Sequence, residues 1–267
     1  MKSKEQLRSV LVRRSLAASF HEAERLIMAA QVRVNGEPVT KAGVLVSPAD
    51  TIEVLTSKKY VSRGGLKLEG ALKDFSFDPQ GLACIDAGAS SGGFTDCLLK
   101  VGARSVTAVD VGYGQFDWSL RSDTRVTLFE RTNIAKVEPA QIGAPFDLLV
   151  ADLSFTSLAR LSKQLASFVG EQGQAITLVK PQFELPKGAV KDGVVQSFDL
   201  HVQTLAAVLD AFENAGLMAQ EASFSHILGP KGNIEYWIWA AKQGATATIN
   251  TEEVVRLAHD TLLDEPS

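Results

Sequence analysis

Apolar residues run through this chain in two rhythms. Near the start they recur at helical spacing, with Leu7, Val10 and Leu11 on one side and Arg8, Arg13 and Arg14 projecting to the other. A second helix is predicted to open at Ser19, where Glu22 three residues on gives a capping-box pattern. Ala23, Leu26, Ile27 and Ala30 form its apolar stripe. Alternation then takes over. Val32-Arg33-Val34, the pair Asn35-Gly36 and Val39 predict two short strands around a tight hairpin turn. Val44, Val46, Ile52 and Val54 add strand material, with Asp50 at a turn.

Further on, short continuously apolar runs alternate with longer amphipathic stretches. Strands are predicted at 82–86, 106–110, 126–129, 146–150 and 175–179, with helices at 157–169 and 198–215 and final strands at 222–225 and 234–241. This order gives an α/β fold: a mostly parallel sheet covered by helices, with ligands at the carboxyl ends of the strands. A small α+β domain is expected at 1–59, a linker at 60–63 and the large domain at 64–267. A last helix at 252–263 carries an acidic tail and no nameable site.

Composition narrows the classes. At 267 residues with 45% hydrophobic and 22% charged positions, the chain is neither disordered nor fibrous. Its first fourteen residues mix six charges with single apolar residues, and no apolar run approaches the roughly 18 residues of a membrane span. Cys84 and Cys97 have no metal-ligand or redox spacing, and neither do His21, His201, His226 and His259. A soluble, cytoplasmic protein without metal or disulfide framework is expected. Charge is unevenly spread. Residues 1–60 hold ten Lys or Arg against six Asp or Glu, a net +4, which leaves −8 for the rest of a chain whose total is −4. A basic head on an acidic body points to a polyanionic partner.

The candidate chemistry begins after the first strand of the body. Its last residue, Asp86, runs into Ala87-Gly88-Ala89-Ser90-Ser91-Gly92-Gly93-Phe94, which opens a helix. Glycines there allow a sharp turn and a close approach to a ligand. The next strand ends at Asp110, about where a carboxylate meets a ribose in such folds. Alone, this turn fits a nicotinamide site or a plain tight connection as well. Two details favour S-adenosylmethionine: the strict Gly-x-Gly-x-x-Gly pattern is absent, and Asp86 would repel a pyrophosphate but suit an ammonium and a sulfonium. Asp152, Lys180 and Glu235 also stand at predicted strand ends, and Lys67 on a predicted helix before the sheet.

Seven stretches carry a resemblance: "YVSRGGLKLEGAL" from Tyr60, "DAGASSGGFTDCLL" from Asp86, "DVGYGQ" from Asp110, "ERTN" from Glu130, "ADLSFTSL" from Ala151, "LVKPQFE" from Leu178 and "GPKGNIEYW" from Gly229. By these the chain resembles, nearly end to end, the TlyA branch of the FtsJ-like ribose methyltransferases. The resemblance implies a Rossmann-like methyltransferase fold, S-adenosylmethionine as donor, and 2′-O-methylation of cytidine in 16S or 23S ribosomal RNA. It places a catalytic Lys-Asp-Lys-Glu tetrad on Lys67, Asp152, Lys180 and Glu235. Lys180 is the candidate base, because two lysines in one pocket disfavour double charging. For the donor it assigns Gly88, Ser91, Gly92 and Gly93 to the loop around the methionine part, Asp110 to the ribose and Asn133 to the adenine. Asp86 and Asp152 would face the ammonium, and Phe94 would pack on the donor.

The head, on "LVRRSLAASFHEAERLIMAAQVRVNGEPV", resembles the small RNA-binding domain named after a ribosomal protein of the small subunit. That implies RNA contacts from Arg8, Arg13, Arg14, Arg25 and Arg33, with ribosomal RNA or ribosomal subunits as partner. Phe20 stands where that family usually has arginine, which removes one phosphate contact. Rival readings are a catalytically silent RNA-binding assembly factor, a membrane-lytic protein (relatives are often labelled haemolysins) and a nicotinamide oxidoreductase. The intact tetrad argues against the first. The missing span and the acidic body argue against the second.

Overall fold

The computed structural model describes residues 4–17, 19–55, 59–186, 188, 190 and 192–263. The chain divides into two compact units, Met1–Lys58 and Lys59–Ser267.

The first unit runs β1 (Glu5–Gln6), α1 (Leu7–Arg13), α2 (Phe20–Met28), β2 (Val32–Val34), β3 (Glu37–Val39), β4 (Leu45–Val46) and β5 (Ile52–Val54). Leu7, Leu11, Ala23, Ile27 and Val32 are its solvent-free centre, the residues whose spacing predicts the helices. Ser19 Oγ accepts the Glu22 N–H and starts α2. The stripe predicted to include Ala30 stops earlier. Ala30 turns left-handed at φ +55, and the Gln31 N–H donates back to the Leu26 carbonyl, which closes the helix as a Schellman-type end. The hairpin is as predicted: Asn35 (φ +53) and Gly36 (φ +83) supply the paired left-handed residues of a type I′ turn. Asn35 also ties this turn to the next one, through its amide to Asp50 Oδ1 at 3.0 Å and its oxygen to the Thr51 N–H at 2.9 Å.

The second unit continues with α3 (Arg63–Asp74), β6 (Ala83–Ala87), α4 (Gly93–Lys100), β7 (Ser105–Val109), α5 (Trp118–Arg121) and β8 (Val126–Phe129). It goes on through β9 (Phe146–Ala151), α6 (Leu158–Phe168), β10 (Val169–Val179), α7 (Pro181–Glu184), α8 (Phe198–Glu213), β11 (Met218–Phe224), β12 (Tyr236–Ala241) and α9 (Thr251–Leu263). The acidic tail beyond Leu263 lies outside the described residues. One seven-stranded sheet results, in the order β11-β12-β10-β9-β6-β7-β8, parallel from β10 to β8 and antiparallel on both sides of β12. β10 is longer than its apolar run predicts, because its first half (Val169-Gly170-Glu171-Gln172-Gly173) is polar and pairs with β9 through a register shift.

Continuous apolar runs mean strands buried on both faces, and side-chain alternation sorts them. Cys84, Leu148, Val150, Ile176, Leu178 and Trp237 pack with Leu68, Leu72, Leu98 and Leu99 of α3 and α4. Their neighbours Ile85, Leu149, Ala151, Ala175, Val179 and Ile238 pack with Leu165, Phe168, Leu205, Phe212 and Val255 of α6, α8 and α9. The start of α4 sits tightly on α3: a Cβ at Gly93 would lie 2.2 Å from Ser62 Oγ and 2.9 Å from the Gly65 amide nitrogen. Because the second obstacle is backbone, Gly93→Ala is expected to destabilise the protein by about 1–3 kcal/mol, despite alanine's better helix propensity. A chemical-denaturation midpoint equal to wild type would refute that packing.

Candidate functional site

The site follows from strand register. Ala87 pairs with Val109 on one side and with Ala151 on the other. The next residue on each strand, Gly88, Asp110 and Asp152, therefore leaves the sheet at one level. β6 is the strand from which the chain goes first to one side and later to the other, the position where open α/β sheets form ligand crevices.

A cleft of about 580 Å³ opens there, within the usual range for small-molecule sites. Val109, Ile134 and Leu153 give it apolar walls, and Ser90, Asp110, Asn133, Asp152 and Ser154 give it polar ones. Asp110 is held by backbone: Oδ2 accepts the Ser90 N–H at 2.8 Å and Oδ1 the Gly112 N–H at 2.6 Å. Asn133 Oδ1 accepts the Ala135 N–H at 2.9 Å. A recess of about 100 Å³ adjoins it, lined by Ser62, Gly64, Ser91, Gly93 and Phe94, and the two share Gly88, Ser90 and Asp152. Phe94 reaches this recess but is otherwise core, 3% exposed with its ring 5.7 Å from Trp237.

Of the expected donor residues, Gly88, Ser91, Gly93, Phe94, Asp110, Asn133 and Asp152 line one space or the other, while Asp86 and Gly92 line neither. The glycines also let the protein pack closely on itself. At each, what a Cβ would strike is protein: the Asp152 carbonyl 2.6 Å from Gly88, Leu120 Cδ1 2.5 Å from Gly92, Ser62 Oγ 2.2 Å from Gly93. Gly88 and Gly92 are also left-handed, at φ +87 and +91. These glycines let segments of the protein approach one another and so shape the crevice. Asp86 is fully buried behind it. Its Oδ2 accepts both the N–H (3.0 Å) and the hydroxyl (2.7 Å) of Thr95, while Oδ1 has no partner among the described residues. Burial, with Asp152 and Asp110 adding to it, pushes this carboxyl up to about 7 against the pull of Thr95.

Beside the recess the four tetrad residues form two ion pairs. Lys180 follows β10, and Val179 pairs with Tyr236, so Lys180 and Glu235 stand one residue beyond that pair on neighbouring strands. Lys180 Nζ lies 2.5 Å from Asp152 Oδ1 and donates to Ser154 Oγ at 3.0 Å. Lys67 Nζ, from α3, lies 2.5 Å from Glu235 Oε2. Glu235 is fully buried and both lysines nearly so. Gly229 makes room for it, since a Cβ there would sit 2.2 Å from Glu235 Oε1. Burial pushes the Glu235 carboxyl up against the pull of Lys67 and Lys180. Each lysine thus has a carboxylate of its own within the tetrad.

Sequence reasoning missed Ser62, Ser154 and Phe155. The last two were signalled inside "ADLSFTSL", but Ser62 reads as linker and instead both caps α3 and lines the recess. Phe155 is 91% exposed on the rim of the cleft, left-handed at φ +63, with its ring 5.0 Å from Phe183; Lys180 Nζ stands 6.0 Å from the centre of the Phe183 ring.

In the head, Arg13, Arg14, Arg25 and Arg33 are exposed and Arg8 is half-buried. Arg8 pairs with Glu24, and Arg13 with Glu5 at 2.8 Å. Phe20 is 55% exposed, apolar surface where a phosphate contact was expected to be missing.

The chain matches the FtsJ-like methyltransferase family over residues 60–242 and the S4 domain over residues 7–52. A Mycobacterium tuberculosis protein named 16S/23S rRNA (cytidine-2'-O)-methyltransferase TlyA is 44% identical across 87% of this chain and 88% of its own. A Brachyspira hyodysenteriae protein named hemolysin A is 37% identical across 82% of this chain and 92% of its own. Among solved structures, a candidate hemolysin from Streptococcus thermophilus is 35% identical with a TM-score of 0.74, covering 98% of both chains.

The buried Asp86 generates a prediction. Its folded-state value of about 7 lies above its ordinary value of 3.8, so between those two values the folded state binds the extra proton. The carboxyl therefore opposes folding increasingly as pH rises from about 4 to 7, and fully above that. Asp86→Asn keeps an acceptor for Thr95 and removes the ionisation. Its Tm relative to wild type is expected to climb over that interval; a constant difference across it would contradict the assignment.

Proposed function

The chain belongs to the FtsJ-like methyltransferases and carries an S4 domain ahead of the methyltransferase body, and from that premise we propose that it transfers a methyl group from S-adenosylmethionine to a cytidine ribose 2′-hydroxyl of ribosomal RNA. The single observation that carries the reading is the shared position of Asp152, which lines both the cleft and the recess and pairs with Lys180. One residue thus joins a donor-sized space to a candidate base.

The residues fit the donor. The cleft has apolar walls for an adenine with Asn133 at its edge, and Asp110 has the acceptor capacity for ribose hydroxyls. The recess suits an amino-acid end, and Asp86, whose Oδ1 has no partner among the described residues, lies buried on the strand that leads into it. When bound, S-adenosylmethionine supplies an electrophilic methyl on a sulfonium. As a neutral amine Lys180 takes the proton of the attacking 2′-hydroxyl at Nζ, and Asp152 stabilises the ammonium that forms. Lys67, oriented by Glu235, holds the substrate oxygen or its phosphate. Phe155 and Phe183 offer exposed aromatic surface beside Lys180 on which an unstacked base would rest. Proposed RNA contacts in the head are Arg8, Arg13, Arg14, Arg25 and Arg33, of which Arg14, Arg25 and Arg33 are exposed and, among the described residues, in no ion pair.

Ribosomal subunits from a strain lacking this protein, incubated with methyl-labelled donor, test the reading. Wild type labels the RNA, and nuclease digestion yields 2′-O-methylcytidine. Lys180→Ala loses about 10²–10⁴-fold in rate with donor affinity retained. Label that survives this substitution would move the base elsewhere, and absence of donor binding would sink the proposal. In the same assay, combined Arg14→Glu and Arg25→Glu are expected to raise the KM for RNA and flatten its salt dependence while kcat stays within about twofold. An unchanged KM would remove these two residues from the RNA interface.

A further inference from the structure

Glu184 is an acid at the end of α7, four residues after Lys180, yet it is only half-exposed. Its carboxylate reaches across to the start of α6. Oε1 accepts the Leu158 N–H at 2.6 Å, and Oε2 accepts the Ser157 hydroxyl at 2.6 Å and the Ala159 N–H at 3.4 Å. Ser157 Oγ in turn accepts the Arg160 N–H at 3.2 Å. Ser157 alone satisfies one of the unpaired amides that open a helix, and Glu184 satisfies the two before it while placing a negative charge at the positive end of the helix.

What lies between these anchors matters more. Residues 152–157 carry Asp152, Ser154 and Phe155 from the end of β9 to α6, and residues 180–184 carry Lys180 and Phe183 from the end of β10 to Glu184. The two segments are tied at three successive places: Lys180 to Asp152 and Ser154, Phe183 to Phe155, and Glu184 to Ser157, Leu158 and Ala159. The middle tie holds a residue in an unfavourable backbone state. A left-handed phenylalanine is strained and persists only where its surroundings enforce it. Phe155 is 91% exposed, so little packing enforces it apart from Phe183 and the anchored ends of its loop.

We propose that Glu184 is a positioning residue for methyl transfer, clamping the loop that bears Asp152 and Phe155 against the loop that bears Lys180 and Phe183. It touches neither donor nor substrate and acts through the geometry of the Lys180–Asp152 pair. The proposal rests on the assignment of that pair to catalysis. An offset of about 1 Å between base and hydroxyl is enough to cost on the order of 10²-fold in rate. The clamp therefore shows in kcat.

The test compares Glu184→Ala, Glu184→Asp and Glu184→Gln in the subunit methyl-transfer assay at saturating donor and RNA. Lys180→Ala and Lys163→Gly accompany them. Lys163 is exposed in the middle of α6, so glycine there weakens the helix without touching the clamp. Glutamine keeps the length, one acceptor, and a donor for the Ser157 hydroxyl. Aspartate keeps the charge but is one methylene short. The clamp predicts kcat lower by about tenfold or more in the alanine and aspartate variants, within about threefold of wild type for glutamine, and unchanged for Lys163→Gly. Aspartate alone decides the matter if the alanine variant does not fold. Wild-type kcat in Glu184→Asp, with Lys180→Ala inactive, would overturn the clamp and leave the catalytic assignment standing. Equal losses in Lys163→Gly and Glu184→Asp would reduce Glu184 to a helix-stability role and overturn it as well. Full activity in Lys180→Ala would overturn the assignment on which the clamp depends.

Discussion

The parallel register of β6 with β7 and β9 is the constraint on which the rest depends. Because Ala87 pairs with Val109 and with Ala151, three chains leave the sheet side by side at Gly88, Asp110 and Asp152. A slip of one residue would turn Asp86 or Ala151 to the wrong face and exchange the two cores that alternate along each strand. Antiparallel β12 adds the fourth element. Entering at the same edge, it brings Glu235 next to Lys180 although the two lie far apart in sequence.

Holding charges there is costly. Lys67 and Glu235 are almost entirely removed from water, and an ion pair so buried gains little net stability against apolar replacements. In the proposed reaction the pair orients Lys67. The buried carboxyl of Asp86 opposes folding as well, and Phe155 is held left-handed. These unfavourable features lie on or just behind the cleft and its tetrad, while the strands and helices around them are packed apolar on both sheet faces.

Much of this was legible in the sequence because apolar runs and their punctuation encode strands directly. Val126–Phe129 is observed as predicted, and most other strand ends moved by a residue or two. The polar half of β10 escaped notice because nothing apolar marks it. The candidate site was legible as a set of residues through the motifs, but its pairing was not: spacing cannot say that Lys67 meets Glu235 and Lys180 meets Asp152. Glu184 was the hardest to see. An acid closing a short helix reads as surface, and only its contact with the start of α6 draws it half out of solvent. The glycine turn was legible as a turn, but not that its missing side chains accommodate Leu120, Ser62 and the Asp152 backbone.

The central claim is that the two ion pairs form one catalytic unit, and the most direct test takes one residue from each. Single-turnover methyl transfer would be measured for Lys180→Ala, Glu235→Ala and the double variant, with donor affinity followed in each. Residues acting as a unit are strongly non-additive. The account predicts a double variant within a few-fold of the slower single one. Losses that multiply would show two independent ion pairs, and the single unit would have to be abandoned.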